Sequence, residues 1–177
     1  MTLGDVIKKI VKLIEEYDES GANFTSDPDI ETKIKESIDD IQVELSQIKK
    51  IPALLTVELD GTNNEVTKPS DMYKIKRIRE SKFEVLNDKI VFPTDYIGDV
   101  NIYYYKYPEV INENTENNHI MELERDAITC LIYGVASAIL KADVSSNYSV
   151  YEYKYQELKQ MLSNNQTDGL IEFEVID

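Results

Sequence analysis

A run of fourteen uncharged residues, residues 127–140, is apolar on nearly every side when it is drawn as a helix. A helix of this kind normally lies at the centre of a bundle, with neighbours all around it. The run is shorter than the roughly 18 residues that a membrane span requires, so we expect no transmembrane helix. Helical spacing begins at about Ile120 and predicts a core helix, helix 3. The recurring apolar residues are Leu123, Ala127, Leu131, Val135, Ala138 and Ala142.

Small residues within this run would allow neighbouring helices to approach closely. Gly134, Ala136 and Ala138 place little side-chain volume on the helix surface. Cys130 is the only cysteine of the chain, so no intrachain disulfide can form. Its apolar neighbours predict that Cys130 is a small core residue.

Two amphipathic helices are predicted before the core helix. Helix 1 covers about residues 3–18. Helix 2 begins at Asp27-Pro28, where a capping side chain precedes a proline at the first helical position, and Pro52 terminates it. Its apolar stripe is narrow, which leaves a charged opposite face for solvent or a partner. The stripe consists of Ile30, Ile34, Ile38, Ile41, Leu45 and Ile48.

After Pro52 the helical period changes to the alternation of β-strands. Two turn signals, Asp60-Gly61 and Asn87-Asp88, lie between β-prone runs and predict hairpins. The predicted strands are residues 53–59, 72–79, 83–86, 89–92 and 99–105. In the last strand, alternate residues would face opposite sides of the sheet, one of which we expect to be exposed. The two sets are Val100, Ile102 and Tyr104, and Asn101, Tyr103 and Tyr105.

A fourth helix and a tail follow the core helix. Helix 4 covers about residues 149–162, and a polar stretch at residues 163–169 predicts a linker. The apolar face of helix 4 consists of Tyr151, Tyr155, Leu158 and Leu162. Residues 170–177 alternate like a strand, and a strand after a linker is suited to be a binding arm. The apolar residues proposed to contact a partner are Leu170, Ile171, Phe173 and Val175.

These elements predict an α+β chain. An antiparallel helical bundle would carry a small antiparallel β-layer inserted between helices 2 and 3, and a strand-like C-terminal tail. The segments are residues 1–52 for the N-terminal helices, 53–108 for the β-layer, 109–162 for the C-terminal helices and 163–177 for the linker and arm.

The charge distribution singles out the β-layer. Acidic residues outnumber basic ones by 34 to 19, giving a net charge of −15, so general binding to nucleic acid or anionic membranes is not expected. The net charge is −5 for residues 1–52, −1 for 53–108 and −9 for 109–177. A basic cluster in the β-layer would meet phosphates or an acidic partner, or, in the interpretation we favour, would protect a solvated edge strand from aggregation. The cluster consists of Lys74, Lys76, Arg77, Arg79 and Lys82.

The chain lacks the residue patterns of an enzyme. Its one histidine, His119, has no cysteine or second histidine with which to share a metal, and no serine or cysteine at catalytic spacing. The six glycines are isolated, so no nucleotide-binding loop is predicted. Residues 112–118 are rich in oxygen ligands but lack the spacing of a calcium loop. We therefore expect no catalytic residues, no cofactor and no metal.

Tyrosine is the more informative residue type. The chain has twelve tyrosines and no tryptophan. Exposed tyrosines commonly serve protein interfaces, although several of these could instead complete the core. The candidates for an interface are Tyr103, Tyr105, Tyr148, Tyr151 and Tyr153.

Several short stretches together carry a resemblance to a known family. They are Asp-Asp-Ile-Gln-Val-Glu-Leu at residues 39–45, Lys-Pro-Ser-Asp-Met-Tyr-Lys-Ile at 68–75 and Ile-Tyr-Tyr-Tyr-Lys-Tyr-Pro at 102–108. An apolar helix and a tyrosine-rich last helix follow them. This order resembles that of the head-tail connector proteins (adaptor or head-completion proteins) of tailed bacteriophages. The β-layer is larger here than in the mostly helical members of that family.

The resemblance implies a structural virion protein without enzymatic activity. Such protomers form a ring, often of twelve, beneath the portal protein; they extend the DNA channel and present a platform to a downstream tail or neck protein. DNA would pass through the lumen without specific binding, which an acidic surface favours because phosphate contacts dominate nonspecific affinity. A ring also needs heterologous side-by-side interfaces.

The resemblance also implies a location at the head-tail junction of the virion. The N-terminal segment carries Asp5 and lacks the compact apolar region of a secretory signal, which predicts synthesis in the host cytoplasm.

Two other classes of protein fit the same sequence features. One is a different neck or tail completion protein, a stopper or a tail terminator, which would bind the tail tube rather than the portal. The other is an acidic cellular module for protein–protein interaction, which would form a low-order oligomer and ignore the portal. An enzyme is a third and more distant class.

Deletion of residues 169–177 tests the predicted arm. If the arm adds as a strand to a neighbouring subunit, the truncated protein should keep nearly the melting temperature of the full chain but lose ring or portal binding. The alternative is that the segment completes the protein's own β-layer as an edge strand. A large fall in melting temperature with binding intact would favour that alternative.

Overall fold

A computed structural model describes residues 1–15, 28–79, 81–141 and 147–164. Over these residues the chain has four helices and two small antiparallel sheets, which confirms that it is α+β. The helices are α1 (Leu3–Glu15), α2 (Pro28–Ile48), α3 (Arg125–Lys141) and α4 (Ser149–Asn164). The strands are β1 (Ile51–Asp60), β2 (Glu65–Thr67), β3 (Met72–Ile78), β4 (Glu84–Leu86), β5 (Lys89–Val91) and β6 (Ile97–Lys106).

Several predictions fall on residues that the structure does not describe. They include the end of helix 1 at residues 16–18, the cap Asp27 of helix 2, and Ala142 of helix 3. The linker predicted at residues 163–169 is described only at residues 163–164, which are the end of α4. The C-terminal arm, with Leu170, Ile171, Phe173 and Val175, lies outside the described residues and stays a prediction.

The chain divides into two compact units. The first, here called the helical unit, comprises the described residues of Met1–Lys49 and Ile111–Asp177 and contains the four helices. The second, the β unit, is Lys50–Val110 and contains both sheets. None of the described helices is long and apolar enough to cross a membrane.

Helix α3 is the core of the helical unit, as the apolar run predicted. It packs against α1, α2 and α4, and Leu131 and Val135 are fully buried. Its other buried residues are Ala127, Ile128, Cys130, Ile132, Gly134, Ala136, Ser137 and Leu140. Burial raises the pKa of the Cys130 thiol to about 12. Cys130 is therefore a core residue and a poor nucleophile.

The predicted start of this helix at Ile120 is wrong, because α3 begins at Arg125. Ile120 instead forms an isolated β-bridge with Thr2, and the amide of Met121 donates to the carbonyl oxygen of Met1. These backbone groups are engaged with the N-terminal residues and cannot make the hydrogen bonds of a helix. The helical apolar spacing persists upstream of Arg125 only because Met121 and Leu123 are buried without being helical.

Gly134 lies where α3 meets two other helices. A Cβ atom at this position would come within 2.8 Å of the Tyr155 ring and 3.2 Å of Ile41 Cδ1. The absence of a side chain therefore permits the close approach that the sequence predicted. Ala138, which was expected to serve the same purpose, is exposed.

A polar cluster joins α2 to α4 beside this contact. The Tyr155 hydroxyl donates to Glu44 Oε2 at 2.5 Å, and Lys159 pairs with the other carboxylate oxygen. Partial burial alone would raise the pKa of Glu44, but the hydrogen bonds from Lys159 and Tyr155 outweigh it and lower that pKa. Burial and the bond to Glu44 raise the pKa of Tyr155. The cluster therefore favours the ionised carboxylate and the neutral phenol.

The β unit contains two three-stranded sheets rather than the single layer that was predicted. Their strand orders are β1-β6-β3 and β2-β5-β4. The two sheets share one apolar core. Its buried residues are Leu59, Val66, Ile90, Phe92, Val100 and Ile102. The sequence did not predict β2, because a strand of three residues with only Val66 buried is too short to show an alternation.

The first sheet is organised by the long pairing of β1 with β6. The pairing extends from Ile51 opposite Lys106 to Asp60 opposite Ile97, so the two ends of the β unit lie side by side. Pro52 lies within β1 and not only beyond the end of α2. An edge strand tolerates a proline, because the missing N–H can face away from the sheet.

One of the two predicted hairpins is confirmed. Asn87, with φ of 50°, turns the chain between β4 and β5, where Leu86 pairs with Lys89. The hairpin predicted at Asp60-Gly61 is wrong. Gly61 does turn the chain, with φ of 78°, but β1 pairs with β6, and β2 belongs to the other sheet. A turn signal is local and does not identify the partner of the strand before it.

Two substitutions on α3 test the position of the core. Leu131 is fully buried, whereas Thr129 on the same helix is exposed. Leu131→Asp would bury an unpaired carboxylate, at a cost comparable to the whole stability of a small domain. We expect this variant to lose its cooperative melting transition by circular dichroism, and Thr129→Asp to keep it. A cooperative, wild-type-like transition for Leu131→Asp would contradict the packing of α3.

Candidate protein-interaction face

The outward side of the β1-β6-β3 sheet gathers aromatic and basic residues. Along β6, Val100, Ile102 and Tyr104 are buried, while Tyr103 and Tyr105 point to the other side, as the alternation predicted. Neighbouring strands add to this outer side. The set, here called the tyrosine–cation face, consists of Lys50, Tyr73, Lys74, Lys76, Arg77, Arg79, Tyr103, Tyr105 and Tyr107.

Strand register explains why these residues meet. Tyr105 lies between Pro52 of β1 and Lys74 of β3, and Tyr103 lies between Leu54 and Arg77. The register shifts between Met72 and Lys74 and again between Ile75 and Arg77. Each irregularity gives β3 one extra residue, Tyr73 and Lys76, and both of these side chains reach the Tyr105 ring.

The cations lie over the tyrosine rings. Lys50 Nζ is 5.3 Å and Lys76 Nζ 5.5 Å from the Tyr105 ring centre, and the Arg79 guanidinium is 6.0 Å from the Tyr103 ring centre. Cation–π contacts at exposed sites contribute about 0.5–1 kcal/mol each. The contacts hold the long cationic side chains over the tyrosine rings, so the face is aromatic and positively charged.

Tyr73 is the most constrained residue of the face. Its ring centre is 6.3 Å from that of Tyr105 and 5.1 Å from that of Tyr107. The Tyr73 hydroxyl is buried and, among the described residues, has no hydrogen-bond partner. Burial, followed by the neighbouring Tyr105 and Tyr107, raises the pKa of Tyr73. Tyr73 therefore stays neutral and acts as an apolar spacer between the other two rings.

The sheet carries opposite charge at its far end. Glu58 of β1 lies directly opposite Asp99 of β6, and both are exposed. Between the two ends, the Thr56 hydroxyl donates to Asn101 Oδ1 at 2.8 Å. The outer side of the sheet is thus positive and aromatic at one end, neutral in the middle and negative at the other end.

The predicted basic cluster is brought together only in part. Lys74, Lys76 and Arg77 lie on β3, and Arg79 follows it closely. Lys82 is separate, because it lines a groove beside the β4–β5 hairpin with Phe83 and Phe92. β3 is an edge strand, so its charges also protect that edge from pairing with another sheet.

The predicted tyrosines have different environments. Tyr103 and Tyr105 belong to the face, and Tyr153 on α4 is 74% exposed. Tyr148 is half-buried, with Lys141 Nζ 5.8 Å from its ring centre. The prediction of an interface role for Tyr151 is wrong. Its side chain is buried and its hydroxyl donates to the carbonyl oxygen of Leu13 at 3.0 Å, so it completes the core.

Three residues of the face were not among the predicted site residues. Lys50 precedes β1, and its role depends on the pairing of β1 with β6. Tyr73 and Tyr107 depend on the irregular register of β3, which disturbs simple alternation. The clustering of tyrosine in residues 103–107 was the available signal for Tyr107.

The described residues contain no grouping of three or more His, Cys, Asp or Glu side chains that could hold a metal ion. The tyrosine–cation face presents cationic and aromatic side chains. No protein-family model matches the chain, and no curated protein matches its sequence.

Removal of single hydroxyls tests the packing of the face. A buried hydroxyl without a partner is destabilising, so Tyr73→Phe should leave the free energy of unfolding unchanged or raise it by up to about 1 kcal/mol. Tyr104→Phe is the matched control, since the Tyr104 hydroxyl donates to Asp71 Oδ1 at 3.4 Å. We expect that control to lose stability in denaturant unfolding. An equal loss in both variants would show that Tyr73 has an unrecognised partner.

Proposed function

We propose that this chain is a structural, ring-forming adaptor of a tailed bacteriophage that joins the portal vertex of the head to the tail. In this role the protein extends the DNA channel and has no catalytic activity. The bundle of α1 to α4 would carry the β unit as an insertion between α2 and α3. The partners would be the portal protein, a downstream tail or neck protein and further copies of the chain.

The proposal is carried by the positions, in the fold, of the stretches that resemble connector proteins. Residues 68–75 contain the start of β3, and residues 102–108 contain the end of β6. These segments are paired, and Lys74 lies opposite Tyr105 on the outer side of the sheet. Two stretches that are distant in sequence thus contribute to one exposed face. Such convergence is expected if they resemble connector proteins for a common functional reason.

Charge supports the same role. Over the full sequence, residues 1–49 and 111–177 include ten basic and twenty-four acidic residues, a net charge of −14, whereas residues 50–110 include nine basic and ten acidic residues, a net charge of −1. Around a closed ring the charge of the helical units would be multiplied. DNA would pass such a surface without sticking, because nonspecific affinity comes mainly from cationic contacts with phosphate.

The number and kind of surfaces also suit an adaptor. A subunit of a ring needs one surface for each lateral neighbour and further surfaces for the components above and below. The chain presents an aromatic and basic sheet face, exposed hydrophobic residues on α4 such as Val150 and Tyr153, and the predicted C-terminal arm. A location at the head-tail junction of the virion follows from the proposed role.

Assembly with the portal is the direct test. Alone, the protein should be monomeric or weakly associated at low salt, because strongly acidic protomers repel one another. With purified portal it should form closed rings, seen by negative-stain microscopy and by co-sedimentation. Portal alone and protein alone are the controls. A lack of co-sedimentation at every salt concentration would refute the portal-adaptor role, and binding to the tail tube instead would identify a stopper or tail terminator.

A further inference from the structure

We propose that the tyrosine–cation face binds the acidic outer side of α2 in a second copy of this chain. The inference rests on the proposed function, since it assigns the contact between neighbouring subunits of the ring.

Charge complementarity selects the partner. The β unit gathers its cations on one side of a sheet, with Lys74, Lys76 and Arg77 exposed, while the helical unit carries most of the acidic excess. The helical unit of a second copy therefore carries charge opposite to that of this face. Complementary charges of this kind steer association and set the register of an interface.

The outer side of α2 provides a specific acidic surface. Ile34 and Ile38 are fully buried on the inner side of this helix, and Glu36 and Asp40 are exposed on the opposite side, one turn apart. The helix has six acidic and two basic residues. One of the two, Lys35, is buried and pairs with Glu31, so its charge is not displayed.

The composition of the face favours a protein over a nucleic acid. Tyrosine and arginine are enriched in protein interfaces, and Leu54, 53% exposed beside Tyr103, adds apolar area at the same site. A phosphate backbone that extended along the sheet would meet Glu58 and Asp99 at its far end and be repelled. The cations are also too few to offset the overall charge of −15.

The contact would join two different surfaces of the same chain. A heterologous contact of this type leaves one free surface of each kind at either end of a growing row. The row closes into a ring when the rotation between neighbours divides a full turn. The contact therefore supplies the side-by-side interface that a ring needs.

Zero-length cross-linking tests the contact without the portal. Carbodiimide joins a lysine amine to a carboxylate that touches it, and a mixture of isotopically light and heavy protein distinguishes links between copies from links within one copy. At about 0.15 M salt the Debye length is about 8 Å, so distant repulsion is screened while contacting pairs are not. Links between copies should join Lys74 or Lys76 to Glu36 or Asp40.

Charge reversal then tests the pairing. The variant Lys76→Glu with Arg77→Glu and the variant Glu36→Lys with Asp40→Lys alter only exposed residues, and circular dichroism should show both folded. Each variant alone should lose links between copies by about tenfold or more, because like charges would face each other. An equimolar mixture of the two should regain them, because each altered surface then meets an oppositely charged one.

Three results would overturn the inference. In the first, links between copies map only to other residues. In the second, the mixture of variants does not regain links between copies. In the third, the face variant loses binding to an oligonucleotide but keeps its links between copies. The proposed function has its own readout in the co-sedimentation of wild-type protein with the portal. A portal-binding protein without these links would retain the adaptor role and lose only this contact.

Discussion

The burial of α3 is the constraint on which the helical unit depends. A helix that is apolar nearly all round cannot leave a side in water, so α1, α2 and α4 must each cover part of it. Gly134 lets α2 and α4 come close to that core, and the cluster of Glu44, Tyr155 and Lys159 satisfies the polar groups at the margin of the contact. The outer sides of α2 and α4 are left to carry charge, because the inner sides already supply the packing.

The β unit follows a different principle, since it has a core of its own. Residues from both sheets meet in one apolar cluster, to which Tyr103 and Tyr105 on the outer side of the β1-β6-β3 sheet do not belong. Their position outside this cluster explains how Tyr103, Tyr105 and their cations can occupy an exposed surface. The separation of an acidic helical unit from a nearly neutral β unit then places unlike charge on one chain, which suits repeated association of identical copies.

The spacing of apolar residues predicted the elements that are long enough to repeat that spacing two or three times. α2, the core of α3, and β6 with its two sides were all readable from the spacing of apolar residues. Features that depend on distant partners were not. Ile120 pairs with Thr2 instead of starting α3, the chain after Asp60-Gly61 enters another sheet, and Tyr73 joins the face through an irregular register. Local sequence does not encode these partners in a recognisable pattern.

The pairing of Ile51 with Lys106 has a consequence for how such a chain could diversify. Residues opposite each other on antiparallel strands have Cα atoms only about 4.5–5.5 Å apart. The start of β1 and the end of β6 therefore lie close together. A segment with adjacent ends can be shortened, enlarged or exchanged without separating the elements that flank it. The β unit could therefore be replaced while the helical unit remains constant, so that one scaffold could acquire new partners by the exchange of a single segment.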